Sequence, residues 1–476
     1  MNNTSAAWQW AKEELGSANL GDKRLSARLA TMAARMVESP GGTLTEVFGD
    51  GAEREGAYRF VENEYVEAKE VGRAALRACL KRARKQPFVY VPIDGTSLTL
   101  KDCSELRGLG RITSTRYRTR GIEVMSGIAV AADGTPLGYC AQEYWVRGPE
   151  LTKQLRHERP VEQKETRHWL TVMDRIEAVR ALTPGAPAAW YQLDRGADFK
   201  EMLEWAATTE AQITIRAAQD RVVDAPEHFL WAAVKAEPEL GAFQLAVKSE
   251  NREQRNANIV VRATRVRLRL SYPNTAGKKT KRERRRKGER HRFVELTAVH
   301  AKEIGTAPSS EKPIEWMLLT NRRVENFKQA QEVIRGYAYR WRVEEFHRTW
   351  KTSCGVEHMQ LRSPGAIERW AVALAVVAMR IQRLKELART QPELPATAEL
   401  SQDEIDALLL HKLEEKFDTG YMPSIGEAVT LIAQIGGYTG KSSGGPPGAQ
   451  TIGRGLQRLT IEAGAISAMR RLNKKM

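Results

Sequence analysis

The sequence predicts a mixed α/β core flanked by helical segments, and three observations carry that reading. Short apolar runs bounded by turn residues alternate with helix-period stretches between Pro87 and Thr320. Near the start, Leu25, Leu29, Met32 and Met36 of DKRLSARLATMAARM recur at helical spacing. In YAYRWRVEEFHRTWK, at roughly 100° per residue, Tyr337, Arg340, Glu344 and Lys351 share one narrow stripe of a long helix. Tyr339, Val343, Phe346 and Trp350 fall on a second arc that suits a core, leaving the first to present a carboxylate beside two cations and a phenol.

Taken in order, residues 1 to about 70 form a small helical unit. Lys23, Arg24, Arg28 and Arg35 make its amphipathic helix basic. That pattern fits a helix entering a DNA groove and, equally, the solvated face of a bundle. Pro40, Gly41 and Gly42 end the helix. PFVYVPID then reads as a strand closed by Asp94, followed by GTSLTLKD. IEVMSGIAVAADGTPLGYCAQEYWV reads as two strands around a turn at Asp133 and Gly134. AAWYQLD is a strand closed by Asp194, ADFKEMLEWAA a helix, and AQITIRAA a further strand.

Residues of about 222–303 read as an inserted β-rich section, with FQLAVKSE, NIVVRATRVRLRLSY and RFVELTAVHA as its strands. Between the last two, KKTKRERRRKGERHR (278–292) is too charged to pack and reads as a loop or hairpin tip, solvated or touching phosphate, or less plausibly a localisation signal. EWMLLT is a strand, the striped helix follows, and from Pro364 onward the chain reads as a helical domain with a Gly/Pro-rich loop. Gly440-Lys441-Ser442 in that loop is no phosphate-binding motif, because Ile435 stands where its first glycine belongs.

A chain of 476 residues can hold two or three domains. Lys and Arg number 75 against 59 Asp and Glu, a net +16 that points to a polyanionic partner, the alternative being a merely basic soluble protein. Cys79, Cys103, Cys140 and Cys354 are isolated in sequence, which argues against a zinc finger or a disulfide scaffold. The start lacks a secretory pattern, and the longest apolar run, Trp370–Met379, is too short to span a bilayer, so a cytoplasmic protein with no membrane contact is expected.

Three acids occupy suggestive places: Asp94 and Asp194 at strand ends, and Glu344 on the polar stripe. Acids at the C-terminal ends of adjacent strands face the crevice where α/β sheets place active sites. Converging there, three hard oxygen donors would suit two Mg²⁺ or Mn²⁺ ions for phosphodiester chemistry. The plainer readings are a turn at Asp94, a helix cap at Asp194, and a helical ion pair from Glu344 to Arg340 or Arg348.

The spacing Y-x2-R-x3-E-x6-K of Tyr337, Arg340, Glu344 and Lys351 resembles the signature of the insertion-sequence-four family of bacterial DDE transposases, in its transposon-five branch. LGDKRLSARL, EGAYRF, IDGTSL, LDRGADF and EWMLLT extend the resemblance over nearly the whole chain. It implies a ribonuclease-H-like catalytic core at residues 71–362 with the β-insertion, a DNA-binding domain at 1–70 and a dimerisation domain at 363–476. It further implies that Asp94, Asp194 and Glu344 bind two divalent metals, and that a homodimer cuts double-stranded transposon ends through a hairpin and joins them to target DNA. Tyr337, Arg340 and Lys351 would bind phosphate, Trp316 would stack on a flipped base rather than fill a core, and Arg216 and Arg28 would touch DNA. The chain departs from the pattern at Gly196, where the resemblance has glutamate, and at Ala218, where it has lysine. TIGRGL carries Gly453 and Leu456 in place of tryptophans, which puts the dimer packing in question. The alternatives are a structure-selective nuclease without strand transfer and an inactive DNA-binding inhibitor or domesticated regulator.

Overall fold

A computed structural model describes residues 5–102, 105–112, 119–148, 161–248, 254–272, 290–305, 312–411, 421–440 and 445–473. Five helices open the chain: α1 (Ala6–Leu15), α2 (Lys23–Glu38), α3 (Leu44–Val47), α4 (Gly51–Glu62) and α5 (Ala68–Ala83). Asp22 caps α2 by accepting from the Arg24 N–H, and Leu29, Met32 and Met36 bury the apolar face read from their spacing.

Strands β1 (Phe88–Leu100), β2 (Gly110–Arg111), β3 (Arg120–Val130) and β4 (Pro136–Trp145) come next, then α6 (Arg167–Ala181), β5 (Ala188–Leu193), α7 (Lys200–Thr208) and β6 (Gln212–Arg216). After these lie α8 (Leu230–Ala236), β7 (Gly241–Lys248), β8 (Gln254–Tyr272), β9 (Arg290–Ile304) and β10 (Glu315–Thr320). All belong to one ten-stranded sheet in the order β2-β3-β1-β5-β6-β10-β9-β8-β7, with β4 paired to β3. Among the described residues only β1–β5 and β5–β6 pair in parallel; the other pairings are antiparallel.

The inserted strands therefore extend the central sheet, because β9 pairs with β10 along Glu315–Thr320. The β8–β9 pairing runs to Tyr272 opposite Arg290. Residues 278–289 of the basic segment fall outside the described residues, as do Lys441 and Ser442.

The sheet alternates its side chains between two cores, as strand geometry requires. Val89, Val91 and Ile93 of β1 join one cluster with α6, α7 and α8 residues, whereas Tyr90 joins the other. That second cluster continues through α9 (Phe327–Ala338), α10 (Trp341–Thr352) and α11 (Pro364–Thr390) into α12 (Gln402–Leu410), α13 (Ile425–Ile435) and α14 (Ala449–Asn473). It also takes in α1 to α5. The apolar run Trp370–Met379 is wholly buried within α11, and no helix among the described residues is long and apolar enough to cross a membrane.

The striped segment is not one helix. It breaks at Tyr339 and Arg340, where the Arg340, Arg342 and Val343 N–H groups donate three residues back instead of four (3.0, 2.9 and 3.2 Å). Tertiary contacts impose the break. The Tyr339 ring lies against Tyr90 and against Gly134, whose φ is +89° and where an added Cβ would stand 2.5 Å from that ring. Arg342 Nε donates to the Gly134 carbonyl at 3.0 Å.

Candidate active site

The register of the two parallel strands fixes the first pair of acids. Phe88–Pro92 pairs with Ala188–Gln192, so Asp94 and Asp194 each lie two residues beyond the last paired row. Asp94 does not close its strand as the sequence suggested. The pairing with β5 stops at Pro92, but β3 continues the ladder on the other side to Leu100 opposite Arg120. Asp194 does follow the end of β5, and its carboxylate accepts from the Gly196 N–H at 2.7 Å, capping a single 3₁₀ turn.

Glu344 arrives on the first turn of α10, and Arg340 ties it to the sheet. Arg340 Nη1 lies 2.6 Å from Asp94 Oδ2, and Nη2 lies 2.6 Å from Glu344 Oε1. The Gly95 N–H donates to Asp94 Oδ1 at 2.8 Å. Burial pushes the Asp94 carboxyl up to about 6; Asp194 and Glu344 push the same way, against Arg340 and the Gly95 N–H. The charges of all three acids are thus felt at one point. Among the described residues no three Asp, Glu, His or Cys side chains form a ready metal cage, and the Arg340 guanidinium fills the gap between two of these carboxylates.

The remaining stripe residues gather around this group. Tyr337 is 3% exposed, and burial raises its pKa against the pull of the nearby Arg340 and Arg216 guanidiniums. Arg216 ends β6 and also donates to the Glu315 carbonyl at 3.3 Å. Lys351 Nζ donates to the Ser97 carbonyl at 2.7 Å and faces Glu357 at 3.5 Å. Val343, Phe346 and Trp350 are fully buried, as their arc predicted, but Tyr337 and Arg340 are buried as well, while Glu344 and Lys351 of the same stripe stay half-buried. His347 between them is held neutral, its pKa pushed down to about 3 by burial and by Lys351.

Trp316, only 8% exposed, packs edge-on against Tyr337 with ring centroids 5.0 Å apart. It therefore sits beside the site while filling a core position. Arg28 stands apart from this contact chain, on α2, where an added Cβ at Gly56 of α4 would meet its guanidinium at 2.7 Å.

Sequence reasoning missed a polar wall next to Asp94. A cavity of about 260 Å³ opens between Gly95 and Gly196 and is lined by Ser97, Glu123, Arg147, Glu165 and Trp169 among others. Ser97 Oγ donates to Glu123 at 2.7 Å, and Arg147 reaches the same carboxylate at 2.9 Å. Only Ser97, within IDGTSL, carried any signal in the sequence. Gly453 and Leu456 also take an unexpected place. Both are buried, and a Cβ at Gly453 would stand 3.3 Å from Ile381 of α11, so these positions serve packing inside the chain rather than an outer face.

Three family models match the chain. The transposase DNA-binding model covers residues 7–66, the transposase DDE domain residues 164–380, and the Tn5 transposase dimerisation domain residues 376–472. Asp194 and Glu344 fall inside the DDE match, and Asp94 precedes it.

Proposed function

We infer that this chain, a metal-dependent DNA transposase that binds DNA and pairs with a second copy of itself, cuts its transposon ends through a hairpin intermediate and joins the freed 3′ ends to target DNA. The observation that carries this reading is the Arg340 bridge between Asp94 and Glu344, on a strand register that sets Asp194 beside Asp94. The tyrosine, arginine, glutamate and lysine spacing supports membership of the insertion-sequence-four family, and on that reading the protein works in the bacterial cytoplasm on nucleoid DNA.

Asp94, Asp194 and Glu344 would hold two Mg²⁺ or Mn²⁺ ions. The residues fit such ions because three carboxylates are the hard donors that these metals take, and a cationic guanidinium already neutralises two of them. When bound, the ions supply an activated oxygen nucleophile and neutralise the leaving oxygen. The chain's own residues bind and shape the DNA. Tyr337, Arg340, Arg216 and Lys351 offer a hydroxyl and three cations to the phosphates beside the scissile bond. Trp316 swings from its contact with Tyr337 to stack on a base turned out of the duplex, which lets the backbone bend into a hairpin. Arg28 contacts the end DNA from α2. The domains divide at about residues 70 and 362.

Incubating the protein with its own terminal-repeat DNA and Mg²⁺ tests the reading. Hairpins followed by joined products are expected. Nicks with neither product would show a nuclease without strand transfer, and a mobility shift without cleavage would show a DNA-binding regulator.

A further inference from the structure

We propose that Arg340 makes loading of metal at the acid site conditional on DNA. This rests on the reading of Asp94 and Glu344 as metal ligands. The guanidinium spans the two carboxylates with one nitrogen on each, both at 2.6 Å, and the whole residue is 8% exposed. Tyr337 and Arg216 lie close by, near enough for both guanidiniums to act on the Tyr337 hydroxyl. A divalent cation and this guanidinium therefore compete for the same two carboxylates, of each of which Arg340 already holds one oxygen.

A buried arginine gives up such partners only when another anion takes it over, because a stripped, desolvated guanidinium is strongly disfavoured. A DNA phosphate is that anion, and its oxygens match the planar fork of Arg in the same two-pronged way as a carboxylate. Two features prepare the exchange. Arg340 sits at the break between α9 and α10, at the capping position that precedes α10. Its Nε is buried without a hydrogen-bond partner, so the fork retains a donor that neither carboxylate uses. When a phosphate from the DNA end draws Arg340 away, Asp94 and Glu344 are left facing one another, and their negative charges then favour a divalent cation. The coupling is reciprocal: metal must strengthen DNA binding by the same factor by which DNA strengthens metal binding.

The test is binding of Mn²⁺ to the full chain, followed by electron paramagnetic resonance, with and without a pre-cleaved duplex of the protein's own end. The wild-type protein is expected to bind Mn²⁺ about tenfold or more tightly with DNA, counting only the sites lost in Glu344→Gln. Arg340→Ala is expected to bind Mn²⁺ without DNA about as tightly as the wild type does with it, and to lose most of the response to DNA. Unchanged DNA-free affinity in a folded Arg340→Ala, or a wild-type affinity indifferent to DNA, would overturn the proposal. Should Arg340→Ala fail to fold by its melting temperature, the wild-type comparison decides alone. Mn²⁺ binding by Arg340→Ala that survives Glu344→Gln would instead remove Glu344 from the ligand set, a failure of the underlying reading.

Discussion

Asp94 and Asp194 hold matching positions on two neighbouring parallel strands, each two residues past the paired Pro92 and Gln192. The strand register therefore brings the two acids to neighbouring positions, Asp94 within β1 and Asp194 on the 3₁₀ turn just past β5. Glu344 alone is delivered from outside the sheet, and its place depends on the helix break at Tyr339 and Arg340.

Asp194→Asn and Glu344→Gln remove one charge each while keeping side-chain size. Both are expected to lower nicking on the order of a hundredfold or more, with binding of end DNA little changed. Gel assays of nicking and of mobility shift, run on the same preparations, check this. Near-normal nicking by either variant would take that residue out of the catalytic group.

Gly134→Ala acts at a distance from the acids. It places a Cβ in a left-handed conformation, which costs about 1–2 kcal/mol, and drives it to 2.5 Å from the Tyr339 ring. The variant is expected to melt at lower temperature and to lose cleavage, because Tyr339 seats the break that carries Arg340. Wild-type melting with wild-type activity would show that the turn does not support the break.

Glu368 on α11 has its carboxyl pushed up to about 7, first by burial and then by Glu143, against Arg175 and Arg369. Its native pKa exceeds the ordinary value of 4.5, so the native state binds this proton more tightly than the unfolded chain. The stabilisation is complete below pH 4.5 and disappears as pH rises through 7. Urea titrations from pH 4.5 to 8 should show wild type losing about 1–3 kcal/mol relative to Glu368→Gln. A difference that stays constant across that window would refute the assignment.

Ile461, Met469 and Leu472 are 57, 63 and 64% exposed and lie on one arc of α14. Ile461→Asp combined with Met469→Asp is expected to weaken pairing of two copies on end DNA about tenfold or more, leaving the monomer's melting temperature unchanged. Sedimentation of the protein–DNA complex reads this directly, and an unaltered dimer would exclude this face.

Much of the site was legible in the sequence because strands end in recognisable ways and helices repeat at a fixed angle. Asp94, Asp194, Glu344 and Tyr337 were singled out on those grounds, although Asp94 lies inside β1 rather than at its end, and Asp194 and Glu344 both act on the Asp94 carboxyl. The break at Arg340 was not legible. The pattern of apolar residues runs through it uninterrupted, and the force that bends the chain comes from Gly134 and Tyr90, far away in sequence. For the same reason the insertion was readable as strands, whereas its merger with the central sheet was not. Periodicity gives a strand its faces but not its neighbour, and β9 finds β10 only in three dimensions. Glu123 and Arg147 stayed hidden because cross-strand register, not spacing, unites them with Ser97.

α11 is buried from Trp370 to Met379 between the first helices of the chain, β4 and the last helices. A rod gripped from three directions leaves the end that reads DNA and the end that meets a second copy without separate hinges. Heat should accordingly dismantle the molecule in a single event, and a tug on bound DNA at one extremity should be felt at the other.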